Sequence, residues 1–294
     1  MTEPINMQRT FFLLILSGSL AAGAWAQDAA TPNAADASAS EPGHFVWHEL
    51  LTTDTEPAIS FYEHVVGWST QTWQGENGES YTMWTAGETP IGGVMTIDVE
   101  TMGDIPPNWT GYISTADVDA TVDKAKSLGG TVHAEPFDIP NVGRVAVLGD
   151  PQGAVFAVYK PVQVGHVPSW PPGSQHFAWN ELITTDSDAA FGFYEQLFGW
   201  EKGDAVDMGE GWMYQLYGLG DRMFGGMFNK PPGMEAPPHW LYYVTVDDLD
   251  AAIERVKEQG GQIVYGPVDV PDGDRIAQGI DPQGALFALH ESGQ

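Results

Sequence analysis

Apolar and polar residues alternate with period two through "FVWHELLTTD" (45–54), and the spacing then lengthens to that of a helix through "PAISFYEHVV" (57–66). A strand followed by a helix is predicted, with Thr53 or Asp54 as the N-cap and Gly67 as the stop. "SYTMWTA" and "IGGVMTI" read as shorter strands after it. The stretch "WTGYISTADVDATVDKAKSLGG" opens the same way again, as a strand, a capping Asp117, an amphipathic helix and a Gly-Gly stop. Three further strands follow in "TVHAEPFDI", "RVAVLGD" and "AVFAVYK", so the rhythm is β-α-β-β-β, twice.

The pattern recurs in the second half. "HFVWHELLTTD" (44–54) returns as "HFAWNELITTD" (176–186) with eight of eleven positions identical. "FYEHVVGW" pairs with "FYEQLFGW", "IGGVM" with "FGGMF", "PPNW" with "PPHW", and "DPQGAVFAVYK" with "DPQGALFALHE". The offset stays between 131 and 133 residues. Two domains are expected, at 43–161 and 175–292, joined by a Pro- and Gly-rich linker at 162–174. Each DPQG is a tight turn before a final strand, because Pro presets one torsion and Gly supplies a positive φ. The fold class is therefore α+β, with four β-α-β-β-β modules in two tandem domains.

Charge narrows the partners. Forty acidic against eleven basic residues leave a net charge of −29, which opposes binding to nucleic acid or to an anionic membrane surface. The chain has no cysteine, so thiol chemistry, disulfides and thiolate metal sites are excluded. "FFLLILSGSLAAGAWA" is an apolar run ending in an A-x-A pattern, read as a signal peptide over residues 1–26 with a leader of low complexity over 27–42. Export to the periplasm or beyond is expected, with no membrane partner after cleavage.

The tandem modules, the two "FYE…GW" segments, the Gly-Gly pairs Gly129-Gly130 and Gly260-Gly261, and DP-x-G before the last strand resemble the vicinal oxygen chelate (VOC) superfamily of glyoxalases, bleomycin-resistance proteins and dioxygenases. The resemblance covers nearly all of residues 43–292. It implies that two modules curve into a cup whose strands hold the ligands of a divalent metal. The corresponding positions here are Trp47, Met95, Thr110 and Ala157, and in the second domain Trp179, Phe228, Leu241 and Ala288. None is a His or carboxylate ligand, so the usual metal cofactor is not expected.

Glu49 and Glu181 are the sharpest candidates for chemistry. Alternation puts Phe45, Trp47 and Glu49 on one face and Val46, His48 and Leu50 on the other, which is expected to pack on the helix. A carboxylate in an aromatic cup is a candidate acid or base. The competing reading is an ion pair, with Arg144 and Arg275 as partners at matching positions before DPQG. His48 reads as a partly exposed polar residue. Trp47, Trp179, Tyr112 and Tyr243, together with Arg144 and Arg275, are the candidate ligand-binding residues; Tyr81, Trp84, Tyr214 and Tyr217 form a further aromatic layer of core or cavity side chains. The chain is thus expected to bind a small, largely apolar or aromatic molecule, or to be a lyase, isomerase or dioxygenase-type enzyme built on Glu/Arg acid–base chemistry or on a metal with other ligands.

Overall fold

A computed structural model describes residues 42–74, 80–162, 173–208, 212–270 and 273–293. The signal segment, nearly all of the leader and nearly all of the linker lie outside the described residues. Among these there are two eight-stranded sheets and five helices. The first sheet runs β2-β3-β4-β1-β5-β8-β7-β6, from β1 (Phe45–Thr52), β2 (Ser69–Gln74), β3 (Ser80–Ala86), β4 (Thr89–Thr96), β5 (Asn108–Ser114), β6 (Thr131–Ile139), β7 (Gly143–Gly149) and β8 (Val155–Pro161). Helix α1 (Thr55–Val65) follows β1, the single turn α2 (Val99–Met102) follows β4, and α3 (Val118–Ser127) follows β5.

The second sheet repeats this order as β10-β11-β12-β9-β13-β16-β15-β14. Its strands are β9 (Phe177–Thr184), β10 (Glu201–Asp207), β11 (Met213–Leu219), β12 (Arg222–Asn229), β13 (His239–Thr245), β14 (Gln262–Asp269), β15 (Arg275–Ile280) and β16 (Leu286–Glu291); its helices are α4 (Ser187–Phe198) and α5 (Leu249–Glu258). The first strands of the two modules lie side by side and antiparallel, β1 on β5 and β9 on β13. Modules therefore pair within a domain, and Glu49 and Glu181 belong to different sheets.

The helices begin where the capping residues predict. Asp54 accepts from the Glu56 amide, and Asp117, Asp186 and Asp248 each accept from the amide three residues on. Strand β2 is missing from the hydrophobic pattern because it is a mostly exposed sheet edge, S-T-Q-T-W-Q.

The helix-side faces of the two sheets share one core, and the repeated sequence segments meet there. Tyr62 of α1 accepts from the Trp109 indole at 2.9 Å and donates to Asp281 Oδ2 in the other domain at 3.1 Å. Tyr194 of α4 makes the reciprocal chain, from Trp240 at 3.3 Å to Asp150 at 3.1 Å. The other carboxylate oxygen of each Asp gathers three backbone amides of its own DPQG turn. Trp68 donates to the Gln175 carbonyl and Trp200 to that of Gly43, again across the domains. A Cβ on Gly261 would meet the Phe61 ring at 2.8 Å, and one on Gly130 would meet Phe193 at 3.2 Å. FYE, GW, Gly-Gly and DPQG are thus the pieces of a two-fold-like docking surface, each present twice because each domain offers both halves.

Two sequence expectations change here. His48 is buried, not partly exposed: its Nε2 lies 3.3 Å from Asn180 Oδ1, its counterpart in the repeat, and its ring stacks on Phe177 at 3.8 Å. Burial pushes its pKa down to about 3, so it is neutral. Phe45 does not share the face of Glu49. A bulge shifts the β1–β5 register between Phe45 and Trp47, and Phe45 turns into the interdomain core against Trp240 and Tyr242.

Candidate functional site

The face of each sheet turned away from the helices carries the glutamates. Glu49 lies opposite Thr110 and beside Gly93, Trp47 lies opposite Tyr112, and Tyr112 lies beside Ala157, so this register places them on one face. The second sheet aligns Glu181 with Leu241 and Gly226, Trp179 with Tyr243, and Tyr243 with Ala288 in the same way.

Each glutamate sits in the same hydrogen-bonded cluster. Tyr81 donates to Glu49 Oε1 at 2.7 Å and Tyr112 to Oε2 at 2.6 Å, while the Trp47 indole donates to the Tyr81 oxygen at 3.1 Å. In the second domain Tyr214 donates to Glu181 Oε2 at 2.9 Å, Tyr243 to Oε1 at 3.0 Å, and Trp179 to the Tyr214 oxygen at 2.7 Å. Trp47, Trp179, Tyr112 and Tyr243 therefore gather around the glutamates, together with Tyr81 and Tyr214. Trp84 and Tyr217 face the shared core instead; Trp84 donates to the Gly93 carbonyl and Tyr217 to that of Asn180.

The strand glycines are what let the tyrosines reach. A Cβ on Gly93 would stand 1.7 Å from the Tyr81 hydroxyl, and one on Gly226 would stand 2.0 Å from the Tyr214 ring. The phenol rings cross the strand where a side chain is missing. These glycines act through packing.

The expected ion pairs to Glu49 and Glu181 are not made. Arg144 binds Asp119 of α3 at 2.6 Å and Asp138 at 3.0 Å; Arg275 binds Asp250 of α5 at 3.0 Å and Glu291 at 3.3 Å. The register explains this. Val147 pairs with Ala157 on the glutamate face, so Arg144, three residues earlier, points to the helix side; Gln278 and Arg275 divide in the same way. Both arginines thus lie off the face where ligand contacts were expected.

With no cation paired to them among the described residues, burial dominates the glutamates' electrostatics. Glu49 and Glu181 are 7% and 6% exposed. Desolvation raises both pKa values against the opposing hydrogen bonds from tyrosine, taking Glu181 to about 7. The same burial, with the adjacent carboxylate, pushes the pKa values of Tyr81, Tyr112, Tyr214 and Tyr243 up, so the phenols stay protonated and donate.

The second cluster has a feature that sequence reasoning missed. Gln278 of β15 donates to the Tyr243 oxygen at 2.8 Å and lies 3.4 Å from Glu181 Oε1. Its counterpart is Val147, and the difference is visible when "GRVAVLGD" is set against "DRIAQGID". Further along the same face His290 Nε2 lies 2.7 Å from Asp274 and its Nδ1 lies 3.2 Å from Thr245; the counterparts are Tyr159, Gly143 and Ser114. The two faces are alike around the glutamate and differ beyond it.

Residues 42–158 and 173–289 match the Glyoxalase/Bleomycin resistance protein/Dioxygenase superfamily. The chain belongs to this superfamily. A relative named "Putative glyoxylase CFP32" from Mycobacterium tuberculosis is 34% identical over 245 residues, spanning 83% of this chain and 92% of the relative. The anthracycline biosynthesis protein DauV of a Streptomyces species is 31% identical over 262 residues, spanning 85% and 94%. Among solved structures, the Mn(II)-bound glyoxalase of Novosphingobium aromaticivorans aligns with a TM-score of 0.59 at 16% identity over 86% of this chain and 83% of its own. The 2,2',3-trihydroxybiphenyl 1,2-dioxygenase of Sphingomonas wittichii aligns with a TM-score of 0.62 at 13% identity over 86% and 92%. At such identity these structures show a shared fold. The two tandem VOC domains are those expected from the repeat.

Metal-dependent VOC proteins place His, Gln or Glu at positions that here hold Trp47, Met95, Thr110 and Ala157. Thr110, the one oxygen donor among them, is bonded to Asn108 at 3.1 Å. These residues do not fit that ligand set.

Proposed function

We propose that this VOC protein binds a small, largely apolar or aromatic molecule on the glutamate-bearing face of its sheets, without the usual VOC metal site. The observation that carries this reading is the twice-built Glu–Tyr–Tyr–Trp cluster. Aromatic walls around a few convergent polar groups are the usual make-up of a small-molecule site. The relatives' names point the same way, since one is an anthracycline biosynthesis protein. We read the N-terminal segment as an export signal, and on that reading the binding takes place outside the cytoplasm.

A second reading, glyoxalase-like proton transfer, is favoured by Glu181 alone. A carboxylate with a pKa of about 7 is ionised in part near neutral pH, and general acid–base catalysis works best when the group titrates near the working pH. Tyr243 and Gln278 would then orient the reacting oxygen.

The test is a thermal-shift and calorimetric screen of mature protein against planar aromatic and hydroxylated compounds. Hits are expected, and Glu49→Gln with Glu181→Gln should weaken them about tenfold or more, the loss of a hydrogen bond to a charged group. A screen in which nothing binds overturns the binding reading. Turnover of a hit that is lost in Glu181→Gln while binding persists selects the enzyme.

A further inference from the structure

Resting on the binding reading above, we propose that the molecule taken by the glutamate faces is an organic cation, a protonated amine with an apolar or aromatic body, whose counterion is the carboxylate of Glu181, or of Glu49 in the first domain.

The direction of the hydrogen bonds leads to this. Trp47 gives its N–H to Tyr81, and Tyr81 and Tyr112 give theirs to Glu49. Every donor of that cluster is consumed inside it, and what remains toward a ligand is acceptor capacity. An ionised carboxylate has roughly four lone-pair sites, and the two phenols occupy two of them. In the second domain the Gln278 amide donates to Tyr243 at 2.8 Å and reaches Glu181 Oε1 at 3.4 Å, so Glu181 accepts three hydrogen bonds and keeps about one lone-pair site for a ligand. A ligand that fits such a surface donates hydrogen bonds, and a buried anion favours a donor that is charged.

The described residues provide no such charge. Among the described residues no Lys, Arg or His pairs with Glu49 or Glu181. The two matched arginines are committed to Asp119, Asp138, Asp250 and Glu291 on the helix side. A buried carboxylate without a cation is costly to ionise, and a ligand cation removes that cost. The whole-molecule charge of −29 attracts cations and repels anions. The surrounding Trp and Tyr faces favour an organic cation over a hydrated metal ion, because an ammonium beside aromatic rings gains a cation–π contribution.

The titratable groups around Glu181 are Tyr214 from β11 and Tyr243 from β13 on its own face, with Tyr217 of β11 behind it on the core side. Strand β15 adds the neutral Gln278, and β12 and β16 add Gly226, Phe228 and Ala288. His290 lies beyond Ala288, bonded to Asp274. Proton and amine therefore compete for one carboxylate.

Three probes of the same shape decide the matter by calorimetry on the mature full chain: phenethylamine, 2-phenylethanol and phenylacetate. The amine should bind at least tenfold more tightly than the alcohol, and phenylacetate should not bind. With Glu181 titrating near pH 7, the amine's apparent affinity at that site should rise about tenfold between pH 6 and pH 8, as the ionised fraction grows. Below pH 7, binding should release a proton, seen as a heat that differs between phosphate and Tris buffers. Glu181→Gln should remove the amine-over-alcohol preference in its domain, and Glu49→Gln in the other. If either variant fails to fold, the wild-type pH dependence and proton release still decide. Equal binding of amine and alcohol overturns the amine assignment and leaves the aromatic-binding reading in place. So does binding of neutral aromatics from the wider screen without the amine. If potassium or calcium chloride at the same concentration displaces the amine, an inorganic-cation site replaces it. No binding by any compound removes both readings.

Discussion

Glu181 keeps a proton to higher pH than a free glutamate because its cluster offers neutral donors where an ion pair would offer charge. Its pKa of about 7 lies above the usual 4.5. Where the folded pKa is raised, the native state binds more protons than the unfolded chain. Stability from this group is then full below pH 4.5 and declines until about pH 7. Glu181→Gln removes that decline. The variant is expected to gain up to about 3 kcal/mol on the wild type between pH 5 and pH 8. Paired urea titrations of both proteins at those pH values check it. A stability difference that does not change with pH would mean that the carboxylate is ionised in the fold at both.

Among the elements, the strands decide the site through what they leave out. β4 and β12 carry Gly93 and Gly226 under the Tyr81 and Tyr214 rings. Gly226→Ala is expected to expel Tyr214 from Glu181, leave the Trp179 indole without its acceptor and cost about 1–3 kcal/mol, the range for overpacking a filled site. Tyrosine absorbance and unfolding curves report both effects, and Gly233→Ala in an exposed turn is not an equivalent control, because Gly233 has φ +88. Gly192→Ala is one, since a Cβ there meets nothing and α4 keeps its backbone. The elements also show what a period-two reading leaves out. Alternation put Trp47 and Glu49 together correctly, since both lie in an unbroken run of register. It misplaced Phe45 because one bulged residue inverts every side chain beyond it. The edge strands β2 and β10 escape hydrophobic patterning for a different reason: being largely exposed, they need no apolar face.

At the level of the whole molecule, the two domains are held by reciprocal chains through Tyr62 and Tyr194. Tyr62→Phe strands the Trp109 N–H and one oxygen of Asp281 in the core, each unpaired group costing about 1–3 kcal/mol. Tyr62→Phe and Tyr194→Phe are expected to destabilise the protein by similar amounts, because the two hydrogen-bond chains are two-fold-like copies of each other. Thermal unfolding of both should show one shared transition, and loss of one domain's transition alone would contradict a common core. His48 adds a pH limit to the same interface. Its folded pKa of about 3 lies below the usual 6.5, so the unfolded chain binds the extra proton and stability falls as pH drops below 6.5, levelling near 3. His48→Asn, which copies the repeat's own residue Asn180, should flatten that acid limb in unfolding measured from pH 7 to pH 4.

The sequence by itself determined the modules, their number, their doubling, the family and the glutamates as the residues to watch. These depend on local periodicity, caps and turns, which are written in neighbouring residues. Only the tertiary structure decided what surrounds the glutamates and what the repeated segments are for. Whether Arg144 or Tyr112 meets Glu49 turns on strand register, and both have the right chemistry. A missing side chain at Gly93 matters only once Tyr81 is known to cross it. The repeated FYE, GW and DPQG segments announce a duplication in one dimension, but that they bind each other across the domains is a fact of three.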